Sequence, residues 1–322
     1  MLRVALAAAL AALAGVTAAQ AQSYPTRQVT IIVPYPAGGP TDLVARQLAP
    51  KFAAKFGQSF IIENVSGGGT NIAGQRVARS APDGHTLYIP NLQFSANVAL
   101  YKTLPFDTEK DFAPIGMINN NPLVLTARKS LPANTQAEFA AWMKANKARM
   151  AHPGTGSTGH LATFLLAQAL GADVTHVPYR GAAPALQDLT AGVTQFFFDN
   201  LTTGIEFVRA GKLRALGITS AQRNPLTPEL VPICETMPEL KPFDVSTWFG
   251  VFLPAATPKP VIAAFNDQMK SWLDDPKTKE RFTQMAGFPA YGTPAEFDKF
   301  VTSQIALWKG VIDKEGLQLD VN

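Results

Sequence analysis

Three glycine-rich turns hold the residue types best suited to chemistry in this chain. They are Pro36-Ala37-Gly38-Gly39-Pro40-Thr41-Asp42, Ser66-Gly67-Gly68-Gly69-Thr70-Asn71 and Gly154-Thr155-Gly156-Ser157-Thr158-Gly159-His160. Each separates an extended apolar run from a stretch with helical spacing. The first turn of a helix has N–H groups without intrahelical partners and a partial positive charge. Glycine lets a ligand approach that backbone, and Ser or Thr hydroxyls add donors. Such a turn suits a phosphate or a carboxylate. In open α/β sheets it lies at the carboxyl ends of the strands, where ligands bind. One such turn alone reads equally well as a loop and a cap, with Thr41 or Asp42 as the N-cap. Three in one chain favour a small anion as ligand, the second turn being the weakest of them.

Two enzymatic patterns come close and fall short. Gly154, Gly156 and Gly159 match G-x-G-x-x-G, but the next strand, Val174–Pro178, is followed by Tyr179-Arg180 rather than an acidic residue for a ribose. A nucleophile elbow around Ser157 fails because Thr155 stands where glycine is required. Ser157, His160 and Asp199 leave an exported serine hydrolase as the alternative, although His160 lies only three residues after Ser157. His85, His152 and His176 are dispersed without metal-binding spacing, so no metal and no cofactor are expected.

The elements that must position these turns alternate between strand and helix. Val29–Val33 leads to Thr41–Phe56, Gln58–Glu63 to Asn71–Ala81, and Thr86–Pro90 is a third strand. Ala113–Ile118 and Leu123–Ala127 read as two further strands, followed by a helix at Gln136–Ala148. Met150–His152, His160–Leu170, Val174–Pro178, Ala182–Gly192, Gln195–Asp199, Gly204–Ala210 and Leu213–Thr219 continue the alternation. This pattern predicts an α/β fold with mostly parallel sheets flanked by helices. Gly57 sits where a C-cap is expected, and Pro258, Pro260 and Pro294 open two late helices, Val261–Leu273 and Ala295–Lys314. Leu123–Ala127 and Thr247–Leu253 are extended apolar runs that bracket a self-contained βα segment. They predict two hinge strands joining two lobes across a cleft: residues 22–124 with 249–322 as lobe 1, and 125–248 as lobe 2.

Residues 1–21 read as a secretory signal peptide. Arg3 supplies the positive start, Val4–Ala19 is apolar, and Ala19-Gln20-Ala21 is a small-x-small site predicting cleavage after Ala21. Without Arg3 the chain has 27 basic and 24 acidic residues, a mild +3. The basic residues are scattered, which argues against nucleic acid as a partner. Cys234 is the single cysteine, so a disulfide framework is excluded and stability must come from burial.

The motifs resemble one family closely. Val33-Pro34-Tyr35-Pro36-Ala37-Gly38-Gly39-Pro40-Thr41-Asp42, Pro82-Asp83-Gly84-His85-Thr86-Leu87, Gly154–Leu161, Val177-Pro178-Tyr179-Arg180-Gly181-Ala182-Ala183-Pro184, Phe198-Asp199-Asn200 and Trp248-Phe249-Gly250 occur in order along nearly the whole chain. They look like the motifs of the Bug (TctC-type) solute-binding receptors of tripartite tricarboxylate transporters. The resemblance implies a two-lobed, type II-like periplasmic binding protein, monomeric and without catalytic chemistry. It would close on a small organic acid and hand it to membrane transporter subunits. It implies that a ligand carboxylate sits against residues 35–42 and 154–160, partly through water. Candidate ligand contacts are therefore Tyr35, Ala37, Gly38, Gly39, Thr41, Asp42, Gly156, Ser157, Thr158 and His160. The more variable positions expected to read the distal end are Asn91-Leu92-Gln93-Phe94 and Thr202-Thr203. Gln93 and Phe94 are the candidates there, the latter a departure that suggests an apolar or aromatic ligand end. Tyr179, Arg180 and Asp199 complete the set, with Arg180 as the charged candidate for a second carboxylate.

Overall fold

The computed structural model describes residues 24–241 and 243–318. The expected signal peptide and its cleavage site lie outside the described residues. In chain order the elements are β1 (Val29–Val33), α1 (Pro40–Phe56), β2 (Phe60–Asn64), a 3-10 turn (Gly68–Thr70), α2 (Asn71–Ala78), β3 (Thr86–Tyr88), α3 (Gln93–Leu100) and β4 (Phe112–Arg128). They continue with α4 (Gln136–Ala145), β5 (Ala148–His152), α5 (Thr158–Leu170), β6 (Val174–Pro178), α6 (Ala182–Ala191), β7 (Phe196–Asn200), α7 (Leu201–Arg209) and β8 (Leu213–Ile218). A short α8 (Ile233–Thr236), a 3-10 turn (Pro238–Leu240), β9 (Ser246–Pro254), α9 (Lys259–Asp274), α10 (Pro276–Gln284) and α11 (Pro294–Glu315) complete the chain.

β4 joins the two lobes. Its first part, Phe112–Pro122, pairs antiparallel with β9, whereas Leu123–Ala127 pairs with β7 and Leu123 onward lies beside β8 through Val124–Arg128. The strand order β2-β1-β3-β9-β4 thus forms one lobe's sheet and β8-β4-β7-β5-β6 the other's. The sequence suggested two strands, Ala113–Ile118 and Leu123–Ala127. They are one 17-residue strand. The residues between them, Asn119-Asn120-Asn121-Pro122, lack the apolar alternation of a strand, yet β9 pairs with them along their length. Each lobe keeps a parallel core, β1 with β2 and β3, and β5 with β6 and β7. Antiparallel pairings enter through β4 and β9, as a chain that leaves a lobe and returns requires.

The helices cover both faces. In α1, Val44, Leu48 and Phe52 recur at helical spacing and bury against Ile31, Phe265 and Trp272. Gly57 ends α1 at φ +67, its N–H bonded to Ala53 O at 3.0 Å, the left-handed stop expected of a C-cap glycine. α11 starts with a capping box in which Thr293 and Glu296 satisfy each other's backbone N–H groups. Besides the one-turn α8, two helices have no counterpart in the sequence reading. α10 is strongly polar on its exposed face, and α3 shows no helical period because nearly every side chain in it is buried, the polar Gln93, Ser95 and Asn97 included.

Candidate functional site

Between the lobes lies a pocket of about 60 Å³ that opens into a larger cleft of about 990 Å³. Four helix N-termini converge on the inner pocket. Lobe 1 contributes Ala37, Gly39, Pro40 and Thr41 at the start of α1. Lobe 2 contributes Ser157, Thr158 and Gly159 at α5, Gly181 to Pro184 at α6, and Asp199 with Asn200 at α7. Leu123 of β4 and Thr247 of β9 form part of the wall, so the two strands that link the lobes also bound the pocket.

The local sequence explains why backbone donors are available there. The N-cap of α1 is Gly39 and that of α6 is Gly181, and neither helix has a side-chain cap. Their first-turn N–H groups have no carbonyl one turn earlier to accept them. α5 is capped by Ser157 Oγ, which accepts from His160 N, and α7 by Asn200 Oδ1, which accepts from Thr202 N. Proline at the first helical position of α1 supplies the right φ without a donor that would need a partner. Summed over four helices, the partial positive charge at these termini suits the pocket to a negatively charged group.

Thr41 and Asp42 do not cap α1. Both are buried, and Asp42 braces the turn instead of facing the pocket. Its carboxylate accepts from Gly38 N (2.9 Å), Arg46 Nε (2.7 Å) and Asn64 Nδ2 (3.1 Å). Burial works against its ionisation, but the hydrogen bonds from Arg46, Gly38 and Asn64 outweigh it and hold its pKa below the usual carboxylate range. Gly38, at φ +84, is part of the same brace and does not line the inner pocket. Asp42 and Gly38 therefore shape the turn and do not line the inner pocket. Thr41, although buried, does line the pocket.

Phe94 corrects a further expectation. It is 1% exposed and packs edge-on or tilted against Tyr88, Phe112 and Phe252 inside lobe 1. The chain turns into α3 at Gln93 and buries that side chain, so Phe94 cannot read a ligand. Gln93 has another role. Its Nε2 donates to Thr155 O across the cleft at 2.7 Å, while its Oε1 accepts from Tyr35 OH at 2.7 Å. Tyr35 OH also lies 2.9 Å from Asn91 Oδ1. Burial raises the pKa of this hydroxyl, which keeps it a donor. The lobes also meet where Pro36 packs against Gly181 and Leu100 against Gly156. A β-carbon on Gly181 would lie 3.3 Å from Pro36 Cδ, and one on Gly156 would overlap Leu100. Gly156, at φ +80, is thus a contact point between lobes rather than a lining residue.

Tyr179 faces the outer cleft only, and its hydroxyl is occupied by Asp188 Oδ2 at 2.7 Å. Arg180 is exposed and lines both compartments. His160 turns beneath its loop, where its Nδ1 accepts from Gly156 N at 3.2 Å, and is absent from the pocket wall. Ser157 Oγ receives the backbone N–H of His160 at 3.4 Å rather than an imidazole, and Asp199 bonds Thr203, so no triad forms among Ser157, His160 and Asp199. The second glycine turn, Gly67–Gly69, lines the outer cleft alone.

Asp199 is the one acidic side chain of the inner pocket. It is 2% exposed, and burial raises its pKa to about 7 despite the hydrogen bonds from Thr203 Oγ1 (2.7 Å) and the Asn200 backbone. The sequence reading missed the α6 turn, Gly181-Ala182-Ala183-Pro184. The signal was present: a strand ending at Pro178, then a glycine, then proline within the first helical turn.

Residues 44–317 match the family described as "Tripartite tricarboxylate transporter family receptor", TctC. Among solved structures, Rpa4515 of R. palustris with adipate is 34% identical, with a TM-score of 0.87, covering 91% of this chain and 98% of that one. The periplasmic binding protein BugD is 33% identical at TM-score 0.87, covering 92% and 99%. MatC (Rpa3494) from Rhodopseudomonas palustris with bound malate is 34% identical at TM-score 0.84, covering 90% and 100%. The lobes, the cleft and the match along the chain agree: this protein belongs to the TctC, or Bug, family of tripartite tricarboxylate transporter receptors and is a solute-binding receptor rather than an enzyme.

Proposed function

We propose that the protein is exported to the periplasm, binds a small organic acid between its lobes and presents it, as a monomer, to the membrane subunits of a tripartite tricarboxylate-type transporter. The convergence of four helix N-termini on one pocket carries this reading. Two of them lack side-chain caps and one sits on the opposite lobe. A carboxylate bound there would touch both lobes, so it would stabilise the closed arrangement more than the open one. The inner pocket has room for a carboxylate and a few waters, at ~10–15 Å³ of such volume per water. The rest of the ligand would extend into the outer cleft past Arg180, an arrangement suited to the two ends of a dicarboxylate. Adipate and malate, bound by the relatives above, are both dicarboxylates. Exchange between open and closed arrangements would bend β4 near Pro122–Leu123 and β9 near Ser246, in keeping with lobes formed by 22–124 with 249–322 and by 125–248. Among the described residues no helix is long and apolar enough to cross a membrane.

A thermal-shift screen of linear dicarboxylates, citrate, acidic amino acids and aromatic acids tests the reading. Ligand at 100 times its Kd adds about 2.7 kcal/mol to stability. At least one acid should raise the melting temperature, and neutral sugars should not. A sugar hit with no acid hit contradicts the proposal.

A further inference from the structure

We propose a transition-metal site in lobe 2, formed by the imidazoles of His152, His160 and His176. The three are far apart in sequence and carry no metal-binding spacing. The parallel pairing of β5 with β6 sets Met150 opposite His176, which brings His152 and His176 to the same face of the sheet. The first turn of α5 then lowers His160 onto that face. One ring nitrogen from each residue lies within 4.8 Å of the others, and the ring centroids are 4.5, 4.9 and 6.1 Å apart.

The donors suit a divalent metal that prefers nitrogen, such as Zn²⁺, Cu²⁺, Ni²⁺ or Co²⁺. Nδ1 of His152 and Nδ1 of His176 are both buried without a hydrogen-bond partner, an arrangement that is costly unless something fills it. A tetrahedral ion with metal–nitrogen bonds of ~2.0–2.1 Å holds its ligand nitrogens about 3.3 Å apart. To bind, the cluster would contract from within 4.8 Å to that spacing by rotation of the side chains. His160 and His176 are only half buried, which leaves a coordination position open to water. Burial and mutual repulsion hold His152 at about 4 and His160 at about 3, and burial lowers His176 as well.

Metal binding would act on the anion pocket through Gly156, whose N–H now donates to His160 Nδ1. If Nδ1 takes the metal, that acceptor is lost. If Nε2 takes it, the neutral ring must carry its proton on Nδ1. Either way the Gly156 N–H is released, in the turn that opens α5.

The test is a Zn²⁺ titration of the full mature protein, freed of metal by chelator and kept in a non-coordinating buffer. One equivalent should bind saturably, and the Gly156 amide resonance should move with it. His176→Gln, a half-buried change on edge strand β6, should weaken binding roughly tenfold or more with an unchanged circular dichroism spectrum. In a Zn²⁺-soaked crystal of the unaltered protein, anomalous scattering should place the ion among the three rings, a result that does not depend on any variant folding. Absence of saturable binding, full affinity in His176→Gln, or an ion located elsewhere overturns the proposal.

Discussion

Asp199→Asn isolates the electrostatics of the inner pocket. Asn has almost the same shape and can still accept from Thr203 Oγ1, but it cannot ionise. In the folded protein burial raises the Asp199 pKa from 3.8 to about 7. Between those values the native state holds a proton that the unfolded chain has already released. Stability therefore falls as pH rises through that window and levels off above about 7. At 1.36 kcal/mol per pH unit, the full penalty at pH 8 is at most about 4 kcal/mol. The variant does not incur it. At pH 5 Asp199 is protonated in the native state but largely ionised in the unfolded chain, so about 1.7 kcal/mol of the penalty is already present. Thermal unfolding of both proteins at pH 5 and pH 8 reads the difference. At roughly 2 °C per kcal/mol for a chain of this size, the remaining difference of about 2.6 kcal/mol means the variant should gain on the order of 5 °C relative to wild type on going from pH 5 to pH 8. An equal difference at both pH values would show that Asp199 is ionised throughout and refute the burial argument. Ligand binding offers a second reading. A bound carboxylate disfavours ionised Asp199 further, so wild-type affinity for an acid should fall above pH 7 and that of Asp199→Asn should not.

Two other substitutions separate packing from recognition. Phe94→Ala leaves a cavity among Tyr88, Phe112 and Phe252, and should cost about 3–5 kcal/mol of stability by denaturant unfolding. The same variant should keep the ligand preference of the wild type, since Phe94 faces no ligand. Gln93→Ala removes the hydrogen bond to Thr155 O and should shift the lobes toward the open arrangement by about 0.5–1.5 kcal/mol. Small-angle scattering of the ligand-free protein should show a larger radius of gyration, and calorimetry a correspondingly weaker acid affinity.

The course of the chain was legible where local signals agreed. The apolar spacing of Val44, Leu48 and Phe52 with Gly57 behind it marked α1 and its end, and proline placed the starts of α9 and α11. Two apolar extended segments, Leu123–Ala127 and Thr247–Leu253, were visible and fall within β4 and β9. What local pattern could not reveal was partnership. The polar stretch Asn119–Asn121 is a strand because β9 pairs with it, and α3 hides its period because nearly all of it is buried. The same limit applied at the site. Turn chemistry pointed to Gly39, Ser157 and Thr158, which the structure places in the wall of one pocket. Residue type alone could not tell that Asp42 turns back on its own loop, that Gln93 bridges the lobes, or that Phe94 lies in the core. The histidine cluster is the extreme case, since only strand pairing brings His152 and His176 together.

Gly39→Val probes the anion pocket most directly. Gly39 has φ −81 and ψ 170, which valine adopts readily, and a β-carbon there would meet nothing closer than Pro36 O at 3.7 Å. The exchange at this N-cap should cost no more than about 1 kcal/mol of stability. The valine methyls would project into the pocket where the ligand carboxylate is placed. Isothermal titration with whichever acid gives the largest thermal shift should show saturable binding to wild type and none to a folded Gly39→Val. Undiminished affinity in that variant would contradict the central claim that the turn from Tyr35 to Thr41 holds the acid.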